Sequence, residues 1–332
     1  MSDVFDYLIK RAKKIKNKTI VFPEGDEPRI AGAVNRLVAD NMCKAIVLGK
    51  VTKLKKMYTP SENILVLDPT EKNDLQENLA TKLYELRKHK GLTQEQAFGI
   101  ITDRNYFATM LLSAGLADGV VSGAVTKSGD VMRPAFQIIK QKPNLLGASS
   151  CFIMEVPENK RKTIGEKGLI VFSDCGTIIN PDAKMLSSIA LSAIETAEKV
   201  LGIKPLVSML SFTTKDNSST DPEVLKVKEA TNLVKSLRPD LIIEGEVQAD
   251  AALNKIVSKT KNSDSKICGR SNVLIFPNLM AGNIGYKLVQ QFCGTRAVGP
   301  IMQGLNKPVN DLSRGANEDE IYLTAVITLL QM

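Results

Sequence analysis

A hydroxyl and a guanidinium stand side by side near the C-terminus, at Ser313 and Arg314, on a loop that ends at Gly315. A helix is predicted directly after this loop, because Asn317 is a suitable N-cap and acidic residues fill the first turn. An arginine beside a helix N-terminus can hold an anion, since the guanidinium and the helix dipole both attract negative charge. An acid so close to an anion site, such as Glu320, suggests a chemical task, for example accepting a proton.

The composition limits the chemistry that the chain can perform. His89 is the only histidine, which excludes a two-histidine metal site and most serine–histidine catalysis. The five cysteines are scattered and form no C-x-x-C pair, so neither a disulfide framework nor a zinc site is indicated. We therefore expect no metal, and a mechanism that uses carboxylates, arginine, serine, cysteine or backbone groups.

The net charge of +8 favours an anionic partner. Nucleic acid is disfavoured, because aromatic residues make up only 5% of the chain and no basic tract is interleaved with them. A phosphorylated small molecule fits better. No apolar run has the length of a membrane span and the N-terminus lacks the pattern of a signal peptide, so we expect a cytoplasmic protein without a membrane partner.

Short β-rich segments alternate with helical patterns along the 332 residues. Residues 19–22 and 169–172, for example, are strand-like runs that lead into turn residues and then into a helical pattern. This alternation predicts an α/β protein with largely parallel sheets in two α/β domains. We expect a discontinuous first domain, residues 1–147 plus 300–332, whose last helix returns from the C-terminus, and a second domain at 148–299.

Seven loops that follow predicted strands or helices resemble one family when taken together. They are FPEG (22–25), MRP (132–134), SDC (173–175), SFTTK (211–215), EGEVQADAA (244–252), FPNLMAGNIGYK (276–287) and KPVNDLSRG (307–315). In this order they resemble phosphate acetyltransferase (phosphotransacetylase) in its short single-enzyme form. The resemblance covers essentially the whole chain, and the last two motifs are long and specific.

The resemblance implies reversible acetyl transfer, acetyl-CoA + phosphate = acetyl phosphate + CoA, by direct attack of the CoA thiolate in a ternary complex. The partners are then CoA or acetyl-CoA, acetyl phosphate and inorganic phosphate, with no tightly bound cofactor. The family also implies an active-site cleft between the two α/β domains. A homodimer is implied as well, and we expect the second domain to form it.

The resemblance further assigns roles to residues of the KPVNDLSRG segment and the helix after it. Ser313 donates to the acetyl carbonyl oxygen, and Arg314 binds phosphate. Glu320, where the family usually carries Asp, is the base for the CoA thiol. Two alternatives stay open: Glu318 or Asp319 as the base, and a purely structural Glu320 that stabilises the first helical turn by about 0.3–1 kcal/mol.

Further substrate-binding residues are predicted on several other segments. They are Arg87, Arg133, Ser128, Thr126, Cys175, Lys215 and Asn283. Two arginines among them match family arginines, and the small-residue loop 122–128 has N–H groups that are expected to cradle phosphate. Cys175 is expected to face the cleft as a small polarisable residue rather than as a nucleophile, because it has no histidine partner. Asp311 is an alternative ion-pair partner for Arg314.

Two other functions remain as alternatives. Phosphate butyryltransferase has a related architecture, although the KPVNDLSRG and FPNLMAGNIGYK segments favour the acetyl family. A non-catalytic protein that binds CoA or phosphate is disfavoured, because Ser313, Arg314 and an acid at position 320 are all present.

Overall fold

A computed structural model describes residues 3–332 and divides into two compact α/β units. The first unit consists of Phe5–Lys140 and Leu305–Met332, and the second contains Gln141–Gly304. The units therefore change over at 4/5, 140/141 and 304/305, against 147/148 and 299/300 in the predicted division, and Val4 belongs to the second unit. Residues 301–303 lie in the second unit because they pair with a strand of its sheet. The expectation of an α/β protein with two largely parallel sheets is confirmed.

The first unit contains a sheet of five strands that are all parallel. The strands are β1 (Thr19–Phe22), β2 (Lys44–Leu48), β3 (Ile64–Leu67), β4 (Gly119–Ser122) and β11 (Val309–Asp311). Their order in the sheet is β11-β4-β1-β2-β3. Because the strands are parallel, the loops after β11, β4 and β1 emerge next to one another at the same edge of the sheet.

Eight α-helices among the described residues have all or most of their residues in the first unit. They are α1 (Asp3–Ala12), α2 (Pro28–Ala39), α3 (Val51–Leu54), α4 (Asp74–Arg87), α5 (Gln94–Ile100), α6 (Arg104–Ser113), α7 (Ser128–Pro134) and α13 (Glu318–Leu330). The predicted N-cap of α13 is confirmed, since the Asn317 side chain accepts a hydrogen bond from the helix. Residues 321–329 of α13 are all buried, so this helix anchors the segment that precedes it in the core of the unit.

The side chains of α2 fasten it to α13. Arg36 Nη1 lies 2.6 Å from Asp319 Oδ1, and its guanidinium stacks 4.0 Å from the centre of the Tyr322 ring. The Tyr322 hydroxyl donates to Asp40 Oδ2 at 2.7 Å. The Glu318 carboxylate lies against Gly32 of α2, in space that a Cβ at residue 32 would share.

The second unit has a sheet of six strands in the order β10-β5-β6-β9-β7-β8. They are β5 (Ser149–Glu155), β6 (Leu169–Ser173), β7 (Leu206–Leu210), β8 (Ile242–Val247), β9 (Val273–Ile275) and β10 (Ala297–Gln303). Strand β5 runs antiparallel to both of its neighbours, and the other pairs are parallel.

The helices of the second unit are α8 (Ala183–Glu195), α9 (Pro222–Leu237), α10 (Ala249–Leu253), α11 (Lys255–Lys261) and α12 (Leu279–Cys293). None of the helices between residues 3 and 332 combines the length and apolar character that crossing a membrane requires.

Candidate active site

The Ser313–Arg314 pair lies on an exposed turn between β11 and α13. Strand β11 continues into this turn through the Leu312 N–H, which donates to the Ser122 carbonyl at 2.7 Å. The Ser313 Oγ accepts from the Gly315 N–H at 3.3 Å, and the Ser313 carbonyl accepts from the N–H of residue 316 at 2.9 Å. Both candidate side chains are exposed. The fold thus presents a hydroxyl and a guanidinium together at the carboxyl edge of the sheet.

The Glu320 carboxylate forms part of the N-terminal cap of α13. The Asn317 N–H donates to Glu320 Oε2 at 3.0 Å, and the Glu320 N–H donates to Asn317 Oδ1 at 2.9 Å. This reciprocal pair is a capping box, so Glu320 has a structural task whatever its chemical one. Of the alternative acids, Asp319 is already ion-paired with Arg36 and Glu318 lies against α2.

The buried Glu24 carboxylate, at the end of β1, binds four consecutive N–H groups of the loop after β4. Gly123 and Ala124 donate to Oε2 at 2.9 and 2.7 Å, and Val125 and Thr126 donate to Oε1 at 2.9 and 2.7 Å. The expectation that this loop cradles phosphate is wrong for these four groups. A carboxylate of the protein itself occupies the position that an anionic ligand would need.

The Arg29 guanidinium joins two of the loops at this edge. Its Nη1 donates to the Arg314 carbonyl at 3.0 Å and to the Ala316 carbonyl at 2.7 Å, and its Nη2 donates to the Ala124 carbonyl at 3.0 Å. The Nε contacts Glu27 Oε1 at 2.7 Å, and this hydrogen bond lowers the pKa of Glu27. Arg29 was not predicted as a site residue from the sequence. The feature that could have indicated it is its position, four residues after the FPEG motif.

Asp311 is a buried acid directly below the Ser313 turn. Burial raises its pKa to about 6, and the negative charge of Glu24 acts in the same direction, whereas the Ser128 hydroxyl opposes the shift. Its Oδ1 is buried without a hydrogen-bond partner, next to Gly123, where an added Cβ would collide with it. The structure shows no ion pair between Asp311 and Arg314, so that alternative is not formed.

The predicted substrate arginines approach the same tyrosine. Arg87, Tyr106 and Gln137 line a cavity of about 240 Å³, in which the Tyr106 hydroxyl donates to Gln137 at 2.9 Å. Burial raises the pKa of the Tyr106 phenol, and the positive charges of Arg133 and Arg87 act against that shift. Arg133 lies 3.4 Å from Asp130, and Arg87 has no ion pair within residues 3–332. Arg87 therefore lines this cavity of the first unit, and the charge of Arg133 acts on Tyr106 in its wall.

Among the described residues, no cluster of three or more histidine, cysteine or acidic side chains is arranged to hold a metal ion. The loops at the carboxyl edge of the five-stranded sheet instead carry the exposed side chains of Ser313 and Arg314, and Ser128 is exposed at the start of α7. Hydroxyl and guanidinium donors suit a carbonyl oxygen and a phosphoryl group.

Comparison with known proteins agrees with this chemistry. A sequence model described as phosphate acetyl/butaryl transferase matches residues 3–329. The chain belongs to this family.

Similar proteins within the family match the chain over nearly its full length. A phosphate acetyltransferase of Thermoanaerobacterium thermosaccharolyticum is 43% identical over 330 residues, covering 99% of each chain. A phosphate acetyltransferase of Bacillus subtilis is 42% identical, with 100% of this chain and 99% of the relative covered. A crystal structure of a phosphotransacetylase from Streptococcus pyogenes superposes with a TM-score of 0.90 at 40% identity, covering 100% of this chain and 99% of that one.

In this family member, Cys175 does not reach a surface. Its side chain is 0% exposed and packs in a core cluster that includes Phe172 and Tyr286. Burial raises the pKa of the thiol, and the charge of Asp174 adds to the effect. The prediction that Cys175 faces a cleft is wrong, because helix α12 packs against the thiol at Gly282 and covers it. The Asn283 amide donates to the Cys175 carbonyl at 3.0 Å, so it also holds this loop.

Lys215 lies on an exposed loop of the second unit. Its backbone has φ +52, and its N–H donates to the Glu246 carbonyl at 3.2 Å. The side chain lines a cavity of about 550 Å³ together with Lys235 and Lys266. Burial lowers the pKa of Lys235, and the positive charges of Lys215 and Lys266 lower it further. The ammonium groups at this cavity therefore repel one another.

Replacing Asp311 by Asn should change how stability depends on pH. The folded-state pKa of about 6 lies above the ordinary value of 3.8, so ionisation costs the folded state free energy as pH rises through this range. By about pH 7 the cost approaches roughly 3 kcal/mol, and Asn avoids it. We expect the stability of Asp311→Asn, relative to the unchanged protein, to rise between pH 4 and pH 7 in urea unfolding. A difference that is constant with pH contradicts the assignment.

Proposed function

We propose that this chain is a phosphate acetyltransferase that catalyses acetyl-CoA + phosphate = acetyl phosphate + CoA. The observation that carries the proposal is the exposed Ser313–Arg314 turn, held at the edge of the sheet, in a chain that belongs to the family. Relatives named phosphate acetyltransferase are more than 40% identical over the whole chain, which favours the acetyl substrate.

The chemistry divides between two ends of the acetyl–phosphate bond. The CoA thiolate attacks the carbonyl carbon, a C–S bond forms, and the C–O bond to phosphate breaks. The Ser313 hydroxyl donates to the carbonyl oxygen as it gains negative charge. Arg314 holds the phosphoryl oxygens and stabilises the departing phosphate through paired N–H groups. In the reverse direction the same contacts orient phosphate for attack on the thioester.

Glu320 is the proposed acceptor of the thiol proton, because thiolate rather than thiol is the nucleophile. Its second carboxylate oxygen, Oε1, is left for this task, since the capping box uses Oε2. Arg87 and Arg133 are proposed to bind the anionic groups of CoA near the Tyr106 cavity. Thr126, Ser128, Lys215 and Asn283 stay predicted contacts, and the expectation of a cleft between the domains stays a prediction.

A homodimer formed through the second unit is part of the proposal. Helix α12 carries Met280, Ile284, Leu288 and Phe292 four residues apart, on one face, with 73%, 52%, 50% and 85% of each residue exposed. An apolar stripe of this kind is typical of a protein interface, and a two-fold axis lets one helix face pack against its copy.

A cytoplasmic location stays a prediction, with which the five unpaired cysteines are consistent.

The activity test is phosphate-dependent release of thiol from acetyl-CoA. We expect Arg314→Ala to raise the KM for phosphate and lower kcat together, by about a hundredfold in kcat/KM, because charge-assisted contacts are lost. Arg314→Lys should fall between, since lysine keeps the charge without the planar fork. A wild-type rate for Arg314→Ala contradicts the role, and a clear preference for butyryl-CoA would favour a phosphate butyryltransferase instead.

Glu320→Gln separates the two tasks of this residue. Glutamine also completes a capping box, as Gln96 does with Thr93 at the start of α5, so stability should change by less than about 0.5 kcal/mol. Loss of the carboxylate should lower kcat and flatten the pH dependence of thioester formation. Glu320→Ala is the control that loses both tasks. An unchanged pH profile in Glu320→Gln would transfer the role of base to another group.

Leu288→Glu should convert a dimer into a monomer. A charge in the middle of the α12 stripe would have to be buried without a partner in the interface. Light scattering coupled to size-exclusion chromatography measures the mass directly. Leu237→Glu, at the end of α9 and 62% exposed, is the matched control and should leave the dimer intact. A monomeric unchanged protein would rule out this assembly.

A further inference from the structure

The Arg29 guanidinium donates four hydrogen bonds. One goes to the Glu27 carboxylate, and three go to the main-chain carbonyls of Arg314, Ala316 and Ala124. Two of these carbonyls belong to the turn that presents Ser313 and Arg314. The planar guanidinium holds its N–H donors in a fixed arrangement that matches the three carbonyl positions. A lysine ammonium has no such fixed arrangement of donors.

The loop after β4, which Arg29 contacts at Ala124, is itself held in place by Glu24. The Ala124 N–H is bound by the buried Glu24 carboxylate at 2.7 Å, while the Ala124 carbonyl is bound by Arg29. The Arg29 side chain keeps 32% of its surface exposed, and Glu27 keeps 17%. Arg29, on α2, thus connects the loop after β4 to the main chain of Arg314.

We propose that Arg29 is a positioning residue that sets the orientation of Arg314 toward phosphate through the Arg314 and Ala316 carbonyls. The inference rests on the proposed role of Arg314 in binding phosphate. Release of these carbonyls lets the turn shift, and a shift of about 1 Å in a binding group can cost on the order of a hundredfold in rate.

The decisive variant is Arg29→Lys, with Arg36→Lys as the matched control. Both arginines lie on α2 and connect it to the α13 segment. Arg36 pairs with Asp319 and stacks on the Tyr322 ring, whereas Arg29 binds the carbonyls of the turn. We expect Arg29→Lys to raise the phosphate KM about tenfold or more and to lower kcat, with the acetyl-CoA KM within about twofold. Arg36→Lys should leave the phosphate KM unchanged. An equal phosphate KM in both variants overturns the inference.

Glu27→Gln is a milder variant. It leaves the Arg29 guanidinium and its three carbonyl partners in place but removes the negative charge that binds Nε. We expect it to raise the phosphate KM in the same direction by a smaller factor. If Arg29→Lys does not fold, Glu27→Gln decides alone, and an unchanged phosphate KM then overturns the inference.

Hydrogen exchange gives a readout that does not depend on activity. The Ala316 N–H donates to the Ser313 carbonyl inside the turn, so its exchange should accelerate in Arg29→Lys and not in Arg36→Lys. If the Ala316 N–H exchange rate and the phosphate KM are both unchanged in Arg29→Lys, the positioning role is contradicted. The proposed function is tested separately by Arg314→Ala. If Arg314→Ala keeps full activity, the proposed function fails, whatever the exchange shows.

Discussion

The candidate active site depends on one buried carboxylate. Glu24 is only 3% exposed, and such a charge is tolerated in a protein interior only when donors surround it. Four consecutive N–H groups of residues 123–126 supply those donors. At Gly123 and Ala124 the same bonds satisfy N–H groups in buried residues that would otherwise be unpaired. Loss of the carboxylate would therefore release the loop against which Arg29 holds the Ser313–Arg314 turn.

The second unit stabilises its loops in the same way. Asp174, at the end of β6, accepts N–H groups of residues 176, 177 and 178 and the Ser150 hydroxyl, all within 3.1 Å. Glu246, in β8, accepts the Asp216 N–H at 2.7 Å. These acids lie in sequence motifs that resemble an enzyme family, yet each is bound to the protein's own backbone. Their geometry supports loop shape rather than direct reaction with a substrate.

Local patterns predicted the elements well where they depend on neighbouring residues. The N-cap at Asn317, the strand at β1 and the alternation of strands and helices all follow from short-range propensity and periodicity. Two predictions were wrong because they depended on contacts distant in sequence: that the N–H groups of residues 123–126 in the 122–128 loop bind phosphate, and that Cys175 faces a cleft. A loop rich in N–H donors looks the same in sequence whether a ligand or a distant carboxylate binds it, and exposure depends on which helix packs above.

The sequence by itself determined the class of fold, the family and the residue types available for chemistry, because these follow from composition, periodicity and motif order. Tertiary structure decided which groups are free to act. Glu24 and Ala124 are 100 residues apart, and Arg29 and Arg314 are 285 apart. Parallel strand pairing brings them to one sheet edge, where hydrogen-bond geometry assigns Glu24 and Arg29 to the backbone and leaves Ser313 and Arg314 exposed. No local pattern records that partition, since it depends on contacts between segments far apart in the chain.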